Sequence, residues 1–185
     1  VDNRSEEEET ERYLEDIKKK GVKVWKYDNP FHFGKLYNWV ATKIDGEYML
    51  VLNNDVKVLN DGWLESMLEW CQLPEVGSVG ARLYYPDGRI QHAGVIVGAG
   101  GAAAHVHRLA DGDTFGYEGC VVNVRNYLAV TGACMMVGRK LFLAMGGFDE
   151  QFDPAYQDVD FGIRLYDERG LFNVYTPYAE LVHYE

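Results

Sequence analysis

The feature that most constrains the fold is a short apolar run, YMLVL at residues 48–52, which ends abruptly in Asn53, Asn54 and Asp55. Patterns of apolar residues typical of amphipathic helices precede and follow this run. A continuous apolar strand between two helices indicates a parallel strand that is covered on both faces. We therefore expect a doubly wound α/β sheet in this part of the chain.

The same patterns predict further strands and one loop. Residues 22–27 alternate as a short strand does, and residues 128–137 form a second apolar run. Residues 173–176 are predicted to be a last short strand that stops before Pro177. Residues 98–120 are rich in Gly and Ala and lack periodicity, which predicts a mobile loop.

A single domain accounts for all 185 residues, since neither a linker nor an internal repeat interrupts the pattern. Residues 1–57 are predicted to bind one ligand, and residues 58–185 to close over it. The three cysteines are widely spaced and odd in number, which favours free thiols in a reducing compartment. No stretch approaches the ~20 apolar residues of a membrane span. We expect a cytoplasmic protein.

The charge of the chain limits its partners. The net charge is −11, so nucleic acid would be repelled, and we expect no nucleic-acid partner. An anionic small molecule could still bind if a local cation offset that charge. This requirement directs attention to the polar residues that follow the buried strand.

Asn53, Asn54 and Asp55 stand at a predicted carboxyl end of a strand, where ligands bind in open α/β sheets. One interpretation is an Asx turn, since Asn and Asp commonly begin turns. The other is that Asp55 binds Mg²⁺ or Mn²⁺, which prefer oxygen ligands and hold phosphates. Such a cation would let an acidic protein bind an anionic substrate.

A second candidate site lies in the segment QDVDFGIRL, at residues 157–165. Asp158 and Asp160 fall about 200° apart on a helix, so they are predicted to have different roles. Asp158 could accept a proton from an incoming hydroxyl as a general base. The alternative is an acidic first turn without a catalytic role.

Histidines offer further candidate ligands. His183 follows a short strand and is either a hydrogen-bonded structural residue or a metal ligand that favours Mn²⁺ over Mg²⁺. His92, His105 and His107 suggest zinc, with the last two rings expected on one side of a strand, but no further ligands stand at a familiar spacing. A loop that covers a bound ligand is the favoured interpretation of these three residues.

Several segments, taken in order, carry a family resemblance. They are VDNRS (1–5), NPFHF (29–33) with Lys35 and Asn38, LNND (52–55), QHAG (91–94), TGAC (131–134), GGFDE (146–150), DVDF (158–161) with Arg164 and Leu165, and TPYAEL (176–181) with His183. Together they resemble the family 2 glycosyltransferases, and especially bacterial enzymes that build O-antigen, rhamnan and other surface polysaccharides. The resemblance covers nearly the whole chain.

The resemblance implies an α/β fold of the GT-A type, a Rossmann-like nucleotide-diphospho-sugar transferase fold with a mixed sheet flanked by helices. It implies an inverting, metal-dependent enzyme that moves a sugar from a nucleotide-diphosphate sugar to a hydroxyl of a glycan or lipid-linked acceptor. The implied cofactor is Mn²⁺ or Mg²⁺. The implied process is the synthesis of a cell-surface polysaccharide.

The resemblance also assigns roles to residues. Asp158 would be the catalytic base, and Asp55 and His183 would bind the metal. The residues implied to contact the nucleotide sugar are Asp2, Lys35, Asn53, Asn54, Asp55, Gly132 and Ala133. Those implied to lie near the acceptor are Gly147, Phe148 and Asp149.

The sequence departs from the family pattern in four respects. Arg4 replaces a Gly, and Gln157 stands where Glu is common before the base. Asn53 stands at the first position of the D-x-D region, which removes one negative charge from the metal site. The family's first strand, ending in P-x-Y-N, and its first helix have no counterpart, so the resemblance implies a fragment with weak or no activity alone. Its exposed strand edges are expected to pair with a second copy as a homodimer. In the full-length protein we expect peripheral association with the inner face of the membrane.

Two other functions stay open on the sequence. A sugar nucleotidyltransferase also uses an α/β sheet, a metal and a diphosphate, although it needs a basic Gly-rich loop that is not visible here. A carbohydrate-binding or assembly module without activity is the other alternative, and Asn53 favours it slightly.

Overall fold

A computed structural model describes residues 1–98 and 101–185. Its helices are α1 (Glu8–Lys19), α2 (Phe33–Ala41), α3 (Trp63–Cys71), α4 (Arg139–Ala144) and α5 (Gln157–Arg169). Its strands are β1 (Tyr48–Leu52), β2 (Val56–Val58), β3 (Val76–Tyr84), β4 (Ile90–His92), β5 (Val95–Val97), β6 (Ala103–His105), β7 (Arg125–Tyr127), β8 (Cys134–Gly138) and β9 (Phe172–His183). A short 3-10 helix covers Tyr117–Gly119.

One mixed sheet organises the described residues. Its strands lie in the order β1-β8-β3-β9-β2, with β4 beside β3 and β7 beside β9. The pair β3–β9 is parallel, and the other pairs of this sheet are antiparallel. β5 and β6 form a separate antiparallel pair. Helices flank the sheet, so the expected mixed α/β class is confirmed.

The core lies on both faces of the sheet because side chains alternate along each strand. In β8, Cys134 and Met136 belong to the cluster that contains Met67 of α3. Met135 and Val137 belong to the opposite cluster, which contains aromatic residues of α4 and α5. Each large apolar side chain buried in this way contributes about 1.5–3 kcal/mol. The two clusters hold the ends of β1, β8 and β9 at fixed positions beside one another.

The predicted burial of β1 is right, but its predicted direction is wrong. Met49 and Val51 pack in one core cluster while Tyr48 and Leu50 pack against the other. The described neighbour of β1 is β8, and it runs antiparallel. An apolar run reports that both faces are covered, and it carries no information on the direction of the neighbour. β1 is an edge strand of the described sheet, and pairing with a second copy stays a prediction.

Two other predicted strands differ in the structure. Residues 22–27 form no named strand, and one isolated bridge joins Lys26 to Asp2. Of residues 128–137, only 134–137 belong to a strand, since β7 ends at Tyr127 and β8 begins at Cys134. Alternating or continuous apolar residues indicate burial. A strand also needs a neighbouring strand with which to form backbone hydrogen bonds, and the local sequence does not show whether one is present.

The loop predicted over residues 98–120 contains regular structure. β6 and the 3-10 helix lie within it, and β6 pairs with β5. Residues 99 and 100 of this prediction lie outside the described residues. Small Gly and Ala side chains gave no periodic signal, so this hairpin was invisible to pattern analysis.

The last strand is much longer than predicted, because β9 continues through Pro177 to His183. Its register against β3 shifts between Ala81 and Arg82, which pair with Thr176 and Glu180. The residues between Thr176 and Glu180, which include Pro177, form an irregularity in the pairing. A proline is tolerated within a sheet at such an irregularity. This extension carries His183 to the edge of the sheet where β1 also ends.

Asn173 joins β9 to β3, to α5 and to the segment after β7. Its Nδ2 donates hydrogen bonds to the backbone oxygens of Leu128 and Gly162, both at 2.9 Å. Its Oδ1 accepts a hydrogen bond of 2.7 Å from the Ser78 hydroxyl. Asn173 and Ser78 are both 0% exposed. A change at Asn173 would therefore leave several buried polar groups without a partner.

We expect Asn173→Ala to lower the free energy of unfolding by about 3–4 kcal/mol, because each buried polar group left unpaired costs about 1–3 kcal/mol. Urea denaturation would measure this change. Asn123→Ala is a suitable control: Asn123 is exposed, and its side chain donates one hydrogen bond, to the backbone oxygen of Gly119. It should change stability by less than about 0.5 kcal/mol. A similar small effect at Asn173 would contradict the prediction.

Candidate active site

Asp158 lies in the first turn of α5, and backbone groups orient its carboxylate. Oδ2 accepts a hydrogen bond of 2.7 Å from the N–H of Gly132, and Oδ1 accepts one of 2.8 Å from the N–H of Val159. Asp160 instead accepts a hydrogen bond of 2.7 Å from Nε of Arg164. The two aspartates therefore have different partners, as their helical spacing predicted.

The loop before β8 joins Asp158 to the end of β1. The N–H of Asn53 donates a hydrogen bond of 3.0 Å to the backbone oxygen of Ala133. A Cβ atom at Gly132 would come within 3.0 Å of the Phe33 ring and 3.5 Å of Asp158. Glycine at position 132 thus keeps space between these side chains and lets the backbone approach the carboxylate.

The pairing of β2 with β9 brings Asp55 and His183 together. Val56 lies opposite His183 in this pair, and the N–H of Tyr184 donates to the backbone oxygen of Asp55 at 2.9 Å. As a result, Nε2 of His183 lies 3.1 Å from Oδ1 of Asp55 and 3.1 Å from Nδ2 of Asn53. These three residues are distant in sequence and form one cluster in the fold.

The His183 ring is oriented from behind by Gln91. Nε2 of Gln91 donates to Glu185 at 3.2 Å, which leaves its Oε1 to accept a hydrogen bond of 2.8 Å from Nδ1 of His183. In the neutral ring the proton is then on Nδ1, and Nε2 presents a lone pair to Asp55. A lone pair and a carboxylate oxygen that face each other at 3.1 Å fit a shared cation.

Asp55 and His183 are therefore the residues that could hold a divalent cation, with Asn53 as a neutral neighbour. Within residues 1–98 and 101–185, no group of three or more His, Cys, Asp or Glu side chains is placed to hold a metal ion. At this cluster only Asp55 and His183 are of these residue types, because Asn53 carries an amide instead of a carboxylate. A site with one fewer charge is expected to bind the cation more weakly.

Two concave regions meet at this cluster. The first, which we call the Asp158 cavity, has a volume of about 380 Å³ and is lined by Asp158, Gly132, Ala133, His105, Asn53 and His183, among others. The second, which we call the Asp55 groove, has a volume of about 880 Å³ and is lined by Asp55, Asn54, Asn53, Trp25, Lys23 and Lys43, among others. Both volumes lie in the range of small-molecule sites. Phe33, Asn53 and Pro154 line both regions, so the two are continuous.

Two residues assigned to the nucleotide sugar line neither region. Asp2 is buried, and its Oδ1 accepts a hydrogen bond of 3.0 Å from the N–H of Ser5, which lowers the pKa of the Asp2 carboxyl. Its neighbours Val1 and Asn3 do line the Asp55 groove. Lys35 is exposed on α2 away from both regions. The roles of Asp2 and Lys35 stay predictions.

The three residues assigned to the acceptor also line neither region. The side chain of Phe148 is 1% exposed and packs against Phe142 and Phe161 in the core. For Gly147, Phe148 and Asp149 the acceptor role stays a prediction.

The structure adds roles that sequence patterns did not assign. His105, one of the histidines expected in a loop that covers a ligand, lines the Asp158 cavity, and Gln91, from the QHAG segment, orients His183. Lys23, Lys43 and Trp25, which no motif selected, line the Asp55 groove. Lys23 stands within the alternating residues 22–27, and that pattern was interpreted only as a strand. No local signal separates these side chains from ordinary surface or core residues.

The three loop histidines do not form one metal site. Nδ1 of His92 lies 2.8 Å from Nδ1 of His105, whereas Nε2 of His107 lies 3.1 Å from Sγ of Cys120. His107 has a φ of 53° and lies beyond the end of β6, so it does not share a strand face with His105 as expected. Burial lowers the pKa of His92 well below 6.5 and also lowers the pKa of His105, where Asp158 acts in the opposite direction.

The buried histidines predict acid destabilisation. Their folded-state pKa values lie below the ordinary 6.5, so both rings are neutral in the folded state while the unfolded chain takes up protons below about pH 6.5. Stability should be constant above that pH and fall from about pH 6.5 to 5.5, by up to about 1.4 kcal/mol per pH unit for each ring. Urea denaturation across this range would measure the slope.

A variant pair tests the origin of this slope. His92→Asn removes the titrating ring but keeps an amide donor in place of Nδ1, so the slope should become smaller. Asn123→Ala, which removes no titrating group, is the control and should leave the slope unchanged. An equal slope in His92→Asn and the parent protein would show that other groups cause the destabilisation.

The arrangement places a carboxylate, a potential cation site and two connected cavities at one edge of a mixed sheet.

Solved structures share this fold. A crystal structure of GalNAc-T7 with UDP, GalNAc and Mn²⁺ matches 97% of this chain and 34% of that chain, with a TM-score of 0.74 and 13% identity. The catalytic domain of Drosophila beta1,4galactosyltransferase 7 in complex with xylobiose matches 94% of this chain and 61% of that chain, with a TM-score of 0.50 and 16% identity. The fold is that of the GT-A glycosyltransferases.

A family model confirms the relationship in sequence. The model of glycosyl transferase family 2 matches residues 1–128. The chain therefore belongs to glycosyl transferase family 2, as its motifs suggested.

Curated relatives include much longer proteins. The uncharacterized protein y4gI of Sinorhizobium fredii is 42% identical over all of this chain, which spans 21% of that relative. The O-antigen biosynthesis protein RfbC of Myxococcus xanthus is 40% identical over all of this chain, which spans 14% of it. An N-acetylglucosaminyl-diphospho-decaprenol L-rhamnosyltransferase of Mycobacterium tuberculosis is 29% identical over 75% of this chain and 47% of its own length. Among the described residues, no helix has the length and apolar character needed to cross a membrane.

Proposed function

We propose that this domain transfers a sugar, with inversion, from a nucleotide-diphosphate sugar to a hydroxyl of a glycan or lipid-linked acceptor. The observation that carries this proposal is the position of Asp158. Its carboxylate lines the same cavity as Asn53 and His183, and that cavity opens into the groove that holds Asp55. A base and a diphosphate site are thus adjacent, as the transfer requires.

The lining residues of the two regions support different binding roles for the two halves of the domain. The Asp55 groove is lined almost entirely by residues from 1–57, and Pro154 is the exception among its described lining residues. The Asp158 cavity is lined mainly by residues from 58–185. We assign the groove to the nucleotide diphosphate and the cavity to the sugars.

Asp158 is the residue assigned to proton transfer. The acceptor hydroxyl gives its proton to the carboxylate as its oxygen forms a bond to the anomeric carbon. The bond from that carbon to the diphosphate oxygen breaks, and its electron pair leaves with the nucleoside diphosphate. Attack on the face opposite the leaving group inverts the configuration. The N–H groups of Gly132 and Val159 keep the carboxylate in one orientation throughout.

Asp55 and His183, with Asn53 beside them, are the residues that would hold Mn²⁺ or Mg²⁺. When bound, the cation supplies positive charge that stabilises the leaving diphosphate. Lys23 and Lys43 add positive charge along the groove, and Trp25 offers an aromatic face to the nucleobase. These contributions offset the net charge of −11 where the anionic donor must bind.

The relatives support the choice of acceptor. One is named as an O-antigen biosynthesis protein and another as a rhamnosyltransferase that acts on a diphospho-decaprenol. We propose a polysaccharide or lipid-linked acceptor, with the protein in the cytoplasm at the inner face of the membrane.

A thermal-shift screen of UDP, GDP and dTDP with Mn²⁺, on the full-length protein, tests the proposal. We expect at least one nucleoside diphosphate to raise the melting temperature only when Mn²⁺ is present. Release of pyrophosphate from a nucleoside triphosphate and a sugar phosphate would instead identify a sugar nucleotidyltransferase. Glycan binding without any nucleotide binding would identify a carbohydrate-binding module.

A further inference from the structure

Two histidines beside the Asp158 cavity form a hydrogen-bonded pair whose protons can be placed from the surrounding backbone. Nε2 of His92 accepts hydrogen bonds from the N–H groups of Gly94 at 3.3 Å and Thr131 at 3.5 Å. A backbone nitrogen can only donate, so this Nε2 carries no proton. His92 is 0% exposed, and burial lowers its pKa well below the ordinary value. The ring is therefore neutral, and its one proton is on Nδ1.

The tautomer of His105 follows from that of His92. The two Nδ1 atoms lie 2.8 Å apart, so the proton on His92 makes Nδ1 of His105 the acceptor. Burial lowers the pKa of His105 as well, and a neutral ring with an acceptor at Nδ1 carries its proton on Nε2. Across the described ranges 1–98 and 101–185, no protein group pairs with this Nε2.

The side chain of His105 contributes to the wall of the Asp158 cavity, and its Nδ1 is directed at the buried His92. Nε2 is the remaining polar atom of the ring, so it is the atom that can meet a ligand in this cavity. The ring is close enough to Asp158 for that carboxylate to influence the pKa of His105. The structure thus supplies one neutral donor, held in a single tautomer, near the proposed base.

We propose that Nε2–H of His105 donates a hydrogen bond to a hydroxyl oxygen of the sugar bound in the Asp158 cavity, with His92 as the residue that fixes its tautomer. A neutral donor suits a hydroxyl, whereas a phosphate oxygen is bound more strongly by a cation. The hydroxyl belongs either to the donor's sugar or to the acceptor, and binding experiments distinguish the two sources. This inference rests on the proposed function, because it requires a sugar in the cavity.

The variants His105→Phe and His105→Gln distinguish the effect of the hydrogen-bond donor from the effect of the ring's shape. Phe keeps a planar ring without a donor, whereas the amide nitrogen of Gln can replace Nε2. UDP-glucose, UDP-N-acetylglucosamine, GDP-mannose and dTDP-glucose would each be titrated calorimetrically with Mn²⁺ into the full-length protein, beside the matching nucleoside diphosphate. For a contact to the donor's sugar, His105→Phe should weaken binding of the nucleotide sugar by about 3- to 10-fold. Binding of the nucleoside diphosphate should not change, and His105→Gln should restore most of the loss.

A contact to the acceptor predicts a different result for the same variants. Nucleotide-sugar binding would be unchanged, and the KM for a methyl glycoside acceptor would rise by about 3- to 10-fold in His105→Phe. Parent-like values in both measurements would overturn the proposal, as would nitrogen NMR of the histidine rings showing no proton on Nε2 of His105. If the parent protein bound no nucleoside diphosphate, the proposed function would fail instead, and the NMR measurement would still test the tautomer.

Discussion

Asp158→Asn should abolish sugar transfer while nucleotide binding stays nearly intact. An amide keeps the size of the side chain and an oxygen that can accept the Gly132 N–H, but it cannot take up the proton of the acceptor hydroxyl. Loss of a general base typically lowers turnover by about 10²- to 10⁴-fold. The measurement is the rate of transfer by the full-length protein under saturating donor, with calorimetry of the nucleoside diphosphate on the same samples.

Asp160→Asn is the matched control for this experiment. It lies two residues away on the same helix and contacts Arg164 instead of the loop before β8. Turnover in Asp160→Asn should stay close to that of the parent protein. Normal turnover in Asp158→Asn would remove Asp158 from the role of base and leave the proton acceptor unassigned.

The second large effect is expected at Asp55. Asp55→Ala removes the one carboxylate of the proposed cation site, next to His183 and Asn53. Loss of a residue that merely supports a metal ligand costs about 10- to 100-fold in metal affinity, so loss of a ligand should cost at least that much. Calorimetry of the nucleoside diphosphate, with and without Mn²⁺, would show this as a loss of the metal-dependent part of the affinity.

Asp45→Ala provides a control with the same change in charge. Asp45 lines the same groove, but its side chain is 92% exposed and its ion pair with Lys23 spans 3.8 Å. An exposed pair of this kind contributes little, so metal-dependent binding should persist. If both variants lost binding equally, the effect would come from the overall charge of the groove. Metal-dependent binding that survived in Asp55→Ala would remove Asp55 from the site.

Much of the candidate site was predictable because its residues stand at the ends of regular elements. Asp55 follows the apolar run of β1, and Asp158 lies in the first turn of α5, where helical spacing also separates it from Asp160. Gly132 and Ala133 were selected through the family resemblance, and the structure places both at the Asp158 cavity. Such assignments need only local periodicity and a motif.

Membership of a motif did not determine where each side chain lies. Phe148 lies within a matching segment, yet its ring is in the core because neighbouring aromatic side chains cover it. Lys35 also lies in a matching segment and lines neither cavity. A motif marks a stretch of chain, and the direction of each side chain depends on packing that the stretch does not contain.

The amino-acid order alone was enough to predict an acidic α/β domain, helices before and after β1, the helix that carries Asp158, the burial of β1 and the family. These properties follow from periodicity, composition and short motifs, which act over a few residues. The direction of β1, the extension of β9 through Pro177 and the meeting of Asp55 with His183 emerged only from the folded chain. The hydrogen-bonded pair of His92 and His105 also emerged only from the folded chain. Contacts between residues far apart in sequence leave no periodic signal in the sequence.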